Sequence, residues 1–379
     1  MMTRRTFLDM TATGLGASLC LPAAVRASLP SQRAEAKAWF RQAKYGLFVH
    51  YGLVSLFPYG KTRPFPPADT TYGLWQRRFT AERFDANAIA SLAREAGMKY
   101  VNFTPYHGGG PYLFQSTAGR PNTADDLPPR RDLVAEMAEA CRRYDLKLML
   151  YVHHTLSRSD AANYDRNMSL FEELLTQYGP IAGLWFDSDR LVHRHPERYP
   201  RLVELYTHVR RLQPACLISF CYGITGEEDF ITFEHRLRDH AASPFLSDEV
   251  KRKLAGKPIE ICSTLQLNEQ GGSGIRMWFH VEGAYHRTAD EVWHLLGETR
   301  RGQSNLLLNT GPRGDGSLHP ADVLTLREVG RRLHEHGFPV ARHDGPMQDD
   351  QPERVGWGDR DLCARARRFA GGSPGDLRH

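Results

Sequence analysis

One aspartate stands where it could act in catalysis. Asp187 follows the apolar run of residues 182–186, which has the composition of a buried strand. A carboxylate at the end of such a strand either caps the next helix or faces a pocket. In the second interpretation Asp187 is one of two carboxylates that cleave a glycosidic bond. It would be an ionised nucleophile whose partner acid lies roughly 5 Å away in a retaining enzyme.

Two glutamates are candidates for the partner acid. Glu260 lies within residues 258–262, which resemble a strand, and Glu234 ends residues 229–234, which we predict to be a loop that could bring a general acid into the pocket. For each glutamate taken alone, a surface salt bridge is an equally good interpretation. The sequence therefore gives three candidate catalytic residues, Asp187, Glu234 and Glu260.

Polar and aromatic side chains recur where the predicted strands end. The polar set is His50, Tyr106, His107, His153, His154, Asp187, Cys221, Glu260 and Asn309. The aromatic set is Tyr51, Tyr112, Tyr151, Trp185 and Tyr222. Aromatic faces stack on the apolar side of a sugar ring while acids and histidines bind its hydroxyls. The two sets together predict a pocket for a small polyhydroxylated ligand.

The elements that would position these side chains alternate along the chain. Predicted strands cover residues 45–50, 100–104, 146–152, 181–187, 217–221, 259–263 and 305–309, with an eighth placed around residues 276–281. Helical patterns lie between them, which predicts a parallel sheet. The number of strands favours an α/β fold, a (β/α)₈ barrel with its site at the carboxyl ends of the strands. A doubly wound open sheet is the alternative, but no glycine fingerprint for a dinucleotide follows an early strand.

The two ends of the chain differ in composition from the predicted barrel of residues 28–340. Residues 1–27 contain a twin-arginine motif at Arg4 and Arg5, and then an apolar stretch too short to span a membrane. They predict an export signal cleaved after Ala27, and hence a periplasmic or secreted protein without a membrane anchor. Residues 341–379 are rich in Arg, Gly and Asp, and we expect a poorly ordered tail.

Composition excludes several classes of protein. The chain has 379 residues, of which 41% are hydrophobic, and 49 Lys and Arg face 44 Asp and Glu. Such a chain is neither disordered nor fibrous, and its small net charge argues against a nucleic-acid partner. No CxxC pair occurs, so we expect neither a zinc ribbon nor a disulfide framework. We expect no cofactor or metal, and a small-molecule or oligosaccharide substrate.

Several stretches give the chain a resemblance to the α-L-fucosidases of glycoside hydrolase family 29. They are residues 39–40 and 44–53, residues 96–107, residues 131–134 with Tyr151, residues 184–187, and residues 304–312 with Asp315 and Gly316. The resemblance implies a retaining mechanism with Asp187 as nucleophile and sugar contacts from His50, His107, Tyr151 and Trp185. Family members differ in the general acid. Some use the glutamate of a Thr-x-Glu segment, which matches Glu234 and which we prefer, and others use one matching Glu260.

The chain also departs from the family pattern around the pocket. Tyr106-His107 replaces a pair of histidines, residues 108–111 are Gly-Gly-Gly-Pro, and an Arg expected within residues 219–223 is missing. The 39 residues after Val340 cannot form the carboxy-terminal β-sandwich of many relatives. Three alternatives remain open: a related glycosidase acting on another sugar, such as an α-L-galactoside; a non-catalytic carbohydrate-binding protein; and a metal-dependent hydrolase using His50, His107, His153 and His154.

Overall fold

The computed structural model describes most of the predicted barrel. The described residues are 23–56, 72–107, 110–152, 161–187, 199–235, 246–267 and 276–339. The twin-arginine motif, the pair His153 and His154, the glycines 108 and 109, and the 341–379 tail lie outside them. The expectations for these segments therefore stay predictions.

Eight parallel strands close into a barrel in chain order, which confirms the predicted (β/α)₈ fold. The barrel strands are β1 (Tyr45–Val49), β2 (Tyr100–Phe103), β3 (Lys147–Val152), β4 (Gly183–Phe186), β5 (Leu217–Cys221), β6 (Phe230–Glu234), β7 (Ile259–Thr264) and β11 (Asn305–Thr310). Strand β11 pairs with β1 along its length, which completes the closure. A small antiparallel sheet of β8 (Gln266–Leu267), β9 (Arg276–Met277) and β10 (Tyr285–His286) lies between β7 and β11 in the chain.

Several of the helices begin after residues whose side chains accept hydrogen bonds from free backbone amides. They are α1 (Ala23–Ala43), α2 (Tyr72–Arg78), α3 (Ala86–Glu95), α4 (Leu133–Arg143), α5 (Ala161–Thr176), α6 (Tyr199–Leu212), α7 (Asp248–Leu254), α8 (Ala289–Arg301) and α9 (Pro320–His336). Asp85 and Asp132 cap α3 and α4, and Thr288 forms a reciprocal capping box with Glu291 at α8. Pro320 is the first residue of α9, as its fixed φ favours. Among the described residues, we find no helix with the length and apolar character needed to cross a membrane.

The eighth barrel strand is not where the sequence placed it. Strand β6, Phe230–Glu234, pairs with β5 and β7, whereas residues 276–281 contribute only the two-residue strand β9 to the small sheet. The prediction was wrong because the apolar residues Trp278 and Phe279 pack on histidine rings rather than pairing as a strand. Glu234 is therefore the last residue of a barrel strand. The prediction that residues 229–234 form a loop was wrong.

Helix α1 covers the amino-terminal end of the barrel. Phe40 packs on Phe230, the first residue of β6, with ring centroids 4.1 Å apart, and on Tyr100, the first residue of β2. Arg33 bonds the buried carboxylate of Asp229 at 2.6 Å. These contacts bury the amino-terminal end of the barrel, so a pocket for a substrate has to open at the carboxyl end.

Candidate active site

Asp187 is held at the carboxyl end of β4 by the neighbouring strand. Its backbone amide donates to the carbonyl of Val152, the last residue of β3, at 3.1 Å. The hydroxyl of Tyr151 donates to Asp187 Oδ2 at 2.6 Å. Asp187 is half-buried and Tyr151 is buried. The hydrogen bond occupies one carboxylate oxygen, and Oδ1 is the oxygen not engaged by Tyr151.

Glu234 lies close to this pair. It is the half-buried last residue of β6. The pKa of Tyr151 is raised well above its usual value, first by burial and then by the charge and hydrogen bond of Asp187, with a further contribution from the charge of Glu234. The charges of both carboxylates therefore raise the pKa of the same phenol, which places both near the Tyr151 hydroxyl. His235 follows with φ at 68° and its amide bonded to the carbonyl of Cys262, so the chain leaves the sheet directly after Glu234.

Glu260 occupies a different level of the barrel. It is the second residue of β7, is fully buried, and accepts hydrogen bonds from Tyr100, Trp185 and Thr232. Burial raises its pKa to about 7, and the three hydrogen bonds oppose that rise. The expectation that Glu260 stands at a carboxyl strand end was wrong, because the strand continues for four residues beyond it.

His50 is a neutral residue whose protonated ring nitrogen is fixed by its partner. Its Nδ1 lies 2.7 Å from Asn309 Oδ1, and Asn309 Nδ2 donates to the Trp278 carbonyl and to Thr264. Because the amide nitrogen of Asn309 serves as the donor, its Oδ1 is the acceptor and Nδ1 of His50 carries the proton. Burial lowers the pKa of His50 to about 4. Its Nε2 is therefore an acceptor for a ligand hydroxyl.

Aromatic rings form one cluster around Tyr151, the hydrogen-bond partner of Asp187. Trp185 stacks on Tyr151 at 5.7 Å, Tyr151 stacks on His107 at 5.3 Å, and His50 lies 5.4 Å from Tyr151. The structure thus brings together the predicted sugar contacts His50, His107, Tyr151 and Trp185. Such a surface suits the apolar face of a sugar ring.

Sequence reasoning missed one wall of this cluster. Trp278 packs on His50 and stacks on His235 with centroids 5.1 Å apart, and Phe279 meets His107 edge-on at 4.9 Å. Two consecutive aromatics a few residues after a glycine-rich stretch were the available signal. We instead interpreted them as part of a strand.

Two further predicted contacts differ from the others. Tyr106 is buried and packs edge-on against Tyr112, with centroids 5.4 Å apart, and burial raises its pKa. It contributes to the surroundings of Tyr151, whose pKa it also raises. His153 lies outside the described residues, and its role as a sugar contact stays a prediction.

One group within the described ranges has the composition of a metal site. The side-chain ligand atoms of His286, His319 and Asp322 lie within 4.8 Å of one another. Their polar atoms already bond each other and the protein: His286 Nδ1 lies 2.5 Å from Asp322 Oδ1, the other oxygen accepts from Thr310, and His319 accepts from the Ala321 amide. These bonds fasten β10 to the start of α9 and account for the group without an ion.

Comparison with known proteins identifies the family. The sequence model described as alpha-L-fucosidase matches residues 25–338. The chain belongs to the α-L-fucosidase family. The match covers every barrel strand and every residue of the aromatic cluster, so the carboxylates described above belong to the α-L-fucosidase domain itself.

Individual relatives agree with this assignment. A putative alpha-L-fucosidase of Caenorhabditis elegans is 25% identical over 331 residues, which cover 78% of this chain and 64% of that protein. The tissue alpha-L-fucosidase of Bos taurus is 32% identical over 341 residues, or 80% of this chain and 68% of the bovine protein. The chain thus spans about two thirds of the length of these α-L-fucosidases. Among solved structures, alpha-L-fucosidase isoenzyme 1 from Paenibacillus thiaminolyticus has a TM-score of 0.67 at 25% identity, covering 83% of this chain and 80% of that one.

Proposed function

We propose that this protein is a retaining exo-glycosidase that hydrolyses terminal α-L-fucosyl residues. The observation that carries the proposal is the arrangement of Asp187 and Glu234. Asp187 directly follows β4 and Glu234 is the last residue of β6, so both lie at the carboxyl end of the barrel. The charges of both raise the pKa of the Tyr151 hydroxyl. The family membership and the names of the matched relatives support α-L-fucosides as the substrate class.

In this mechanism Asp187 is the nucleophile. Oδ1 attacks the anomeric carbon while Tyr151 holds Oδ2, and the bond to the leaving oxygen breaks as Glu234 gives that oxygen a proton. Glu234, now ionised, takes a proton from water, and the water oxygen attacks the anomeric carbon and releases Asp187. The neutral His50 accepts a hydrogen bond from a sugar hydroxyl, and the aromatic cluster receives the apolar face of the ring.

Burial is the reason for assigning the acid/base role to Glu234 rather than Glu260. A general acid must reach both the leaving oxygen and the incoming water. Glu234 is half-buried at a strand end, whereas Glu260 has no exposed surface and both of its oxygens are engaged. Glu260 would have to break three hydrogen bonds to reach the pocket.

Kinetics on aryl α-L-fucosides test the proposal. Asp187→Ala should lower kcat by several orders of magnitude. Glu234→Ala should be rescued by azide on a substrate with a good leaving group, and should then give the azide adduct with retained configuration. Glu260→Ala should not respond to azide. Asp290→Asn, an exposed position on α8, is the matched surface control. Rescue of Glu260→Ala but not Glu234→Ala would exchange their roles.

The same assay separates the alternatives. Preference for an aryl α-L-galactoside over the fucoside would mean that the pocket accepts another sugar. Loss of hydrolysis on adding a chelator would indicate a metal-dependent enzyme. Binding of fucose without turnover of any aryl glycoside would indicate a carbohydrate-binding protein, and each of these three results would refute the proposal.

We also propose that the enzyme is exported to the periplasm or beyond. The Arg4-Arg5 pair and the apolar stretch after it support export in the folded state. Replacing both arginines by lysine should leave the full-length enzyme active in the cytoplasm. Unchanged export of the substituted protein would contradict the proposal.

A further inference from the structure

The interior of the barrel contains a carboxyl group that the proposed reaction does not use. Glu260 Oε2 accepts from the hydroxyl of Tyr100 at 2.5 Å, and Oε1 accepts from Trp185 Nε1 at 3.0 Å and from Thr232 at 3.2 Å. All four side chains are buried. Tyr100 lies at the amino-terminal end of the barrel and packs on Phe40 of α1. Glu260 thus connects the closed end of the barrel to Trp185 on the pocket side.

Trp185 is directly connected to the proposed nucleophile. It lies on β4, two residues before Asp187, whose amide continues the pairing of β4 with β3, so both side chains project to the same face of the sheet. Its ring stacks on Tyr151 with an angle of 21° between the planes, and Tyr151 donates to Asp187. A rotation of the indole would therefore displace the Tyr151 ring and the carboxylate it holds. The ring of Phe48, whose centroid lies 5.3 Å from that of Trp185 at an angle of 63°, supports the indole by packing alone.

We infer that Glu260 is a positioning residue that fixes the ring of Trp185, and through Tyr151 the carboxylate of Asp187, for attack on the substrate. The inference rests on the proposed function, because it assigns the nucleophile to Asp187. Glu260 acts through Trp185 and does not touch the substrate. Small displacements of a nucleophile have large effects on rate, so one buried hydrogen bond at this distance from the sugar influences turnover.

Positioning of the indole requires an acceptor oxygen, and a negative charge is not needed. A protonated carboxyl group and an amide both keep a carbonyl oxygen that can accept from Trp185 Nε1. Burial favours the uncharged form of Glu260, which agrees with this role. Glutamine has nearly the same shape, so Glu260→Gln should preserve the positioning. Methionine fills a similar volume without an acceptor, so Glu260→Met should abolish it.

Four variants test the inference by steady-state kinetics on an aryl α-L-fucoside. Glu260→Gln should keep kcat and KM within about threefold of wild type. Glu260→Met should lower kcat/KM by roughly tenfold or more, the effect of one hydrogen bond. Trp185→Phe removes the donor of the same bond and should cause a similar loss. Combining Glu260→Met with Trp185→Phe should lower kcat/KM little further than either change alone, because both remove the same hydrogen bond between Trp185 and Glu260.

Tyr100→Phe is the matched control within the same network. It removes another donor to Glu260 but leaves the bond to Trp185. It should lower the midpoint of thermal unfolding while kcat and KM stay at wild-type values. A purely structural role for Glu260 predicts instead that Glu260→Met, like Tyr100→Phe, lowers the midpoint of thermal unfolding and leaves kcat and KM at wild-type values, which would overturn the inference.

The outcomes distinguish this inference from the proposed function. If wild type hydrolyses the fucoside and Asp187→Ala does not, but Glu260→Met retains full kcat/KM, only the positioning role fails. If Glu260→Met does not fold, wild-type kcat/KM in Trp185→Phe, which removes the donor of the same bond, would overturn it. If wild type is inactive, calorimetric binding of L-fucose replaces the rate. Equal affinity in wild type and Trp185→Phe would then refute the inference.

Discussion

Lowering the pH should destabilise this fold through one buried histidine. The exposed fraction of His50 is 4%, and burial lowers its pKa from 6.5 to about 4. Between these values the unfolded chain binds a proton that the folded protein excludes. The free energy of unfolding therefore falls as the pH falls from 6.5 towards 4. Above pH 6.5 His50 is neutral in both states, and this loss of unfolding free energy is absent.

The magnitude follows from the two pKa values. Each unit of pKa difference corresponds to about 1.36 kcal/mol, so a fall from 6.5 to about 4 costs roughly 3 kcal/mol at the lowest pH. Protonation is incomplete at moderate acidity, and the loss between pH 7 and pH 4.5 comes to about 2 kcal/mol. That is a sizeable part of the stability of an ordinary domain.

Urea unfolding between pH 7 and pH 4.5 measures this loss. Other groups also titrate in this range, so the useful quantity is the difference between wild type and His50→Gln, whose amide can still donate to Asn309. That difference should change by about 2 kcal/mol across the range. The exposed His294 on α8 supplies a surface position for a control His→Gln change of the same kind. A constant difference between wild type and His50→Gln would refute the reasoning.

Three other changes test separate parts of the site. Tyr151→Phe removes a charge-assisted hydrogen bond to Asp187 and should lower kcat/KM on an aryl fucoside by about 10- to 100-fold; unchanged kinetics would contradict the contact. Gly311→Ala would place a Cβ 2.7 Å from the backbone of Phe279, so the pocket wall must shift and KM should rise roughly tenfold. Because the pKa of Glu260 is raised from 4.5 to about 7, the protein should lose roughly 3 kcal/mol of unfolding free energy as the pH rises through this range. Glu260→Gln should abolish that loss, measured by urea unfolding at pH 5 and 8.5.

Controls for these changes come from the same chain. Gly297→Ala in α8 would meet nothing closer than 3.9 Å, so it should leave KM unchanged and slightly stabilise the helix. A normal KM in Gly311→Ala would mean that residues 278–280 do not form the pocket wall. Parallel pH curves for wild type and Glu260→Gln would mean that Glu260 is not buried in its uncharged form.

Local patterns predicted most of the barrel. Seven of the strands fall within two residues of their predicted bounds, because each is a short apolar run between helical patterns and each is buried on both faces. Strand β6 escaped because Thr232 and Glu234 interrupt the apolar pattern. These two side chains share the barrel interior with Phe230, and a barrel interior tolerates polar groups that find partners, as Thr232 does in Ser219 and Glu260.

The candidate site was predicted less evenly, and the reason lies in the register of the strands. Glu234 and Glu260 are both glutamates on neighbouring strands, and only the family resemblance, through the Thr-x-Glu segment, favoured Glu234. Thr232 pairs with Glu260 and Glu234 with Cys262, so Glu234 lies one inward-facing step nearer the carboxyl end, about 7 Å along the strand. That single step separates a half-buried acid beside Asp187 from a fully buried acid beneath Trp185. Since register depends on long-range pairing, the apolar and polar pattern of each strand alone could not have separated the two roles.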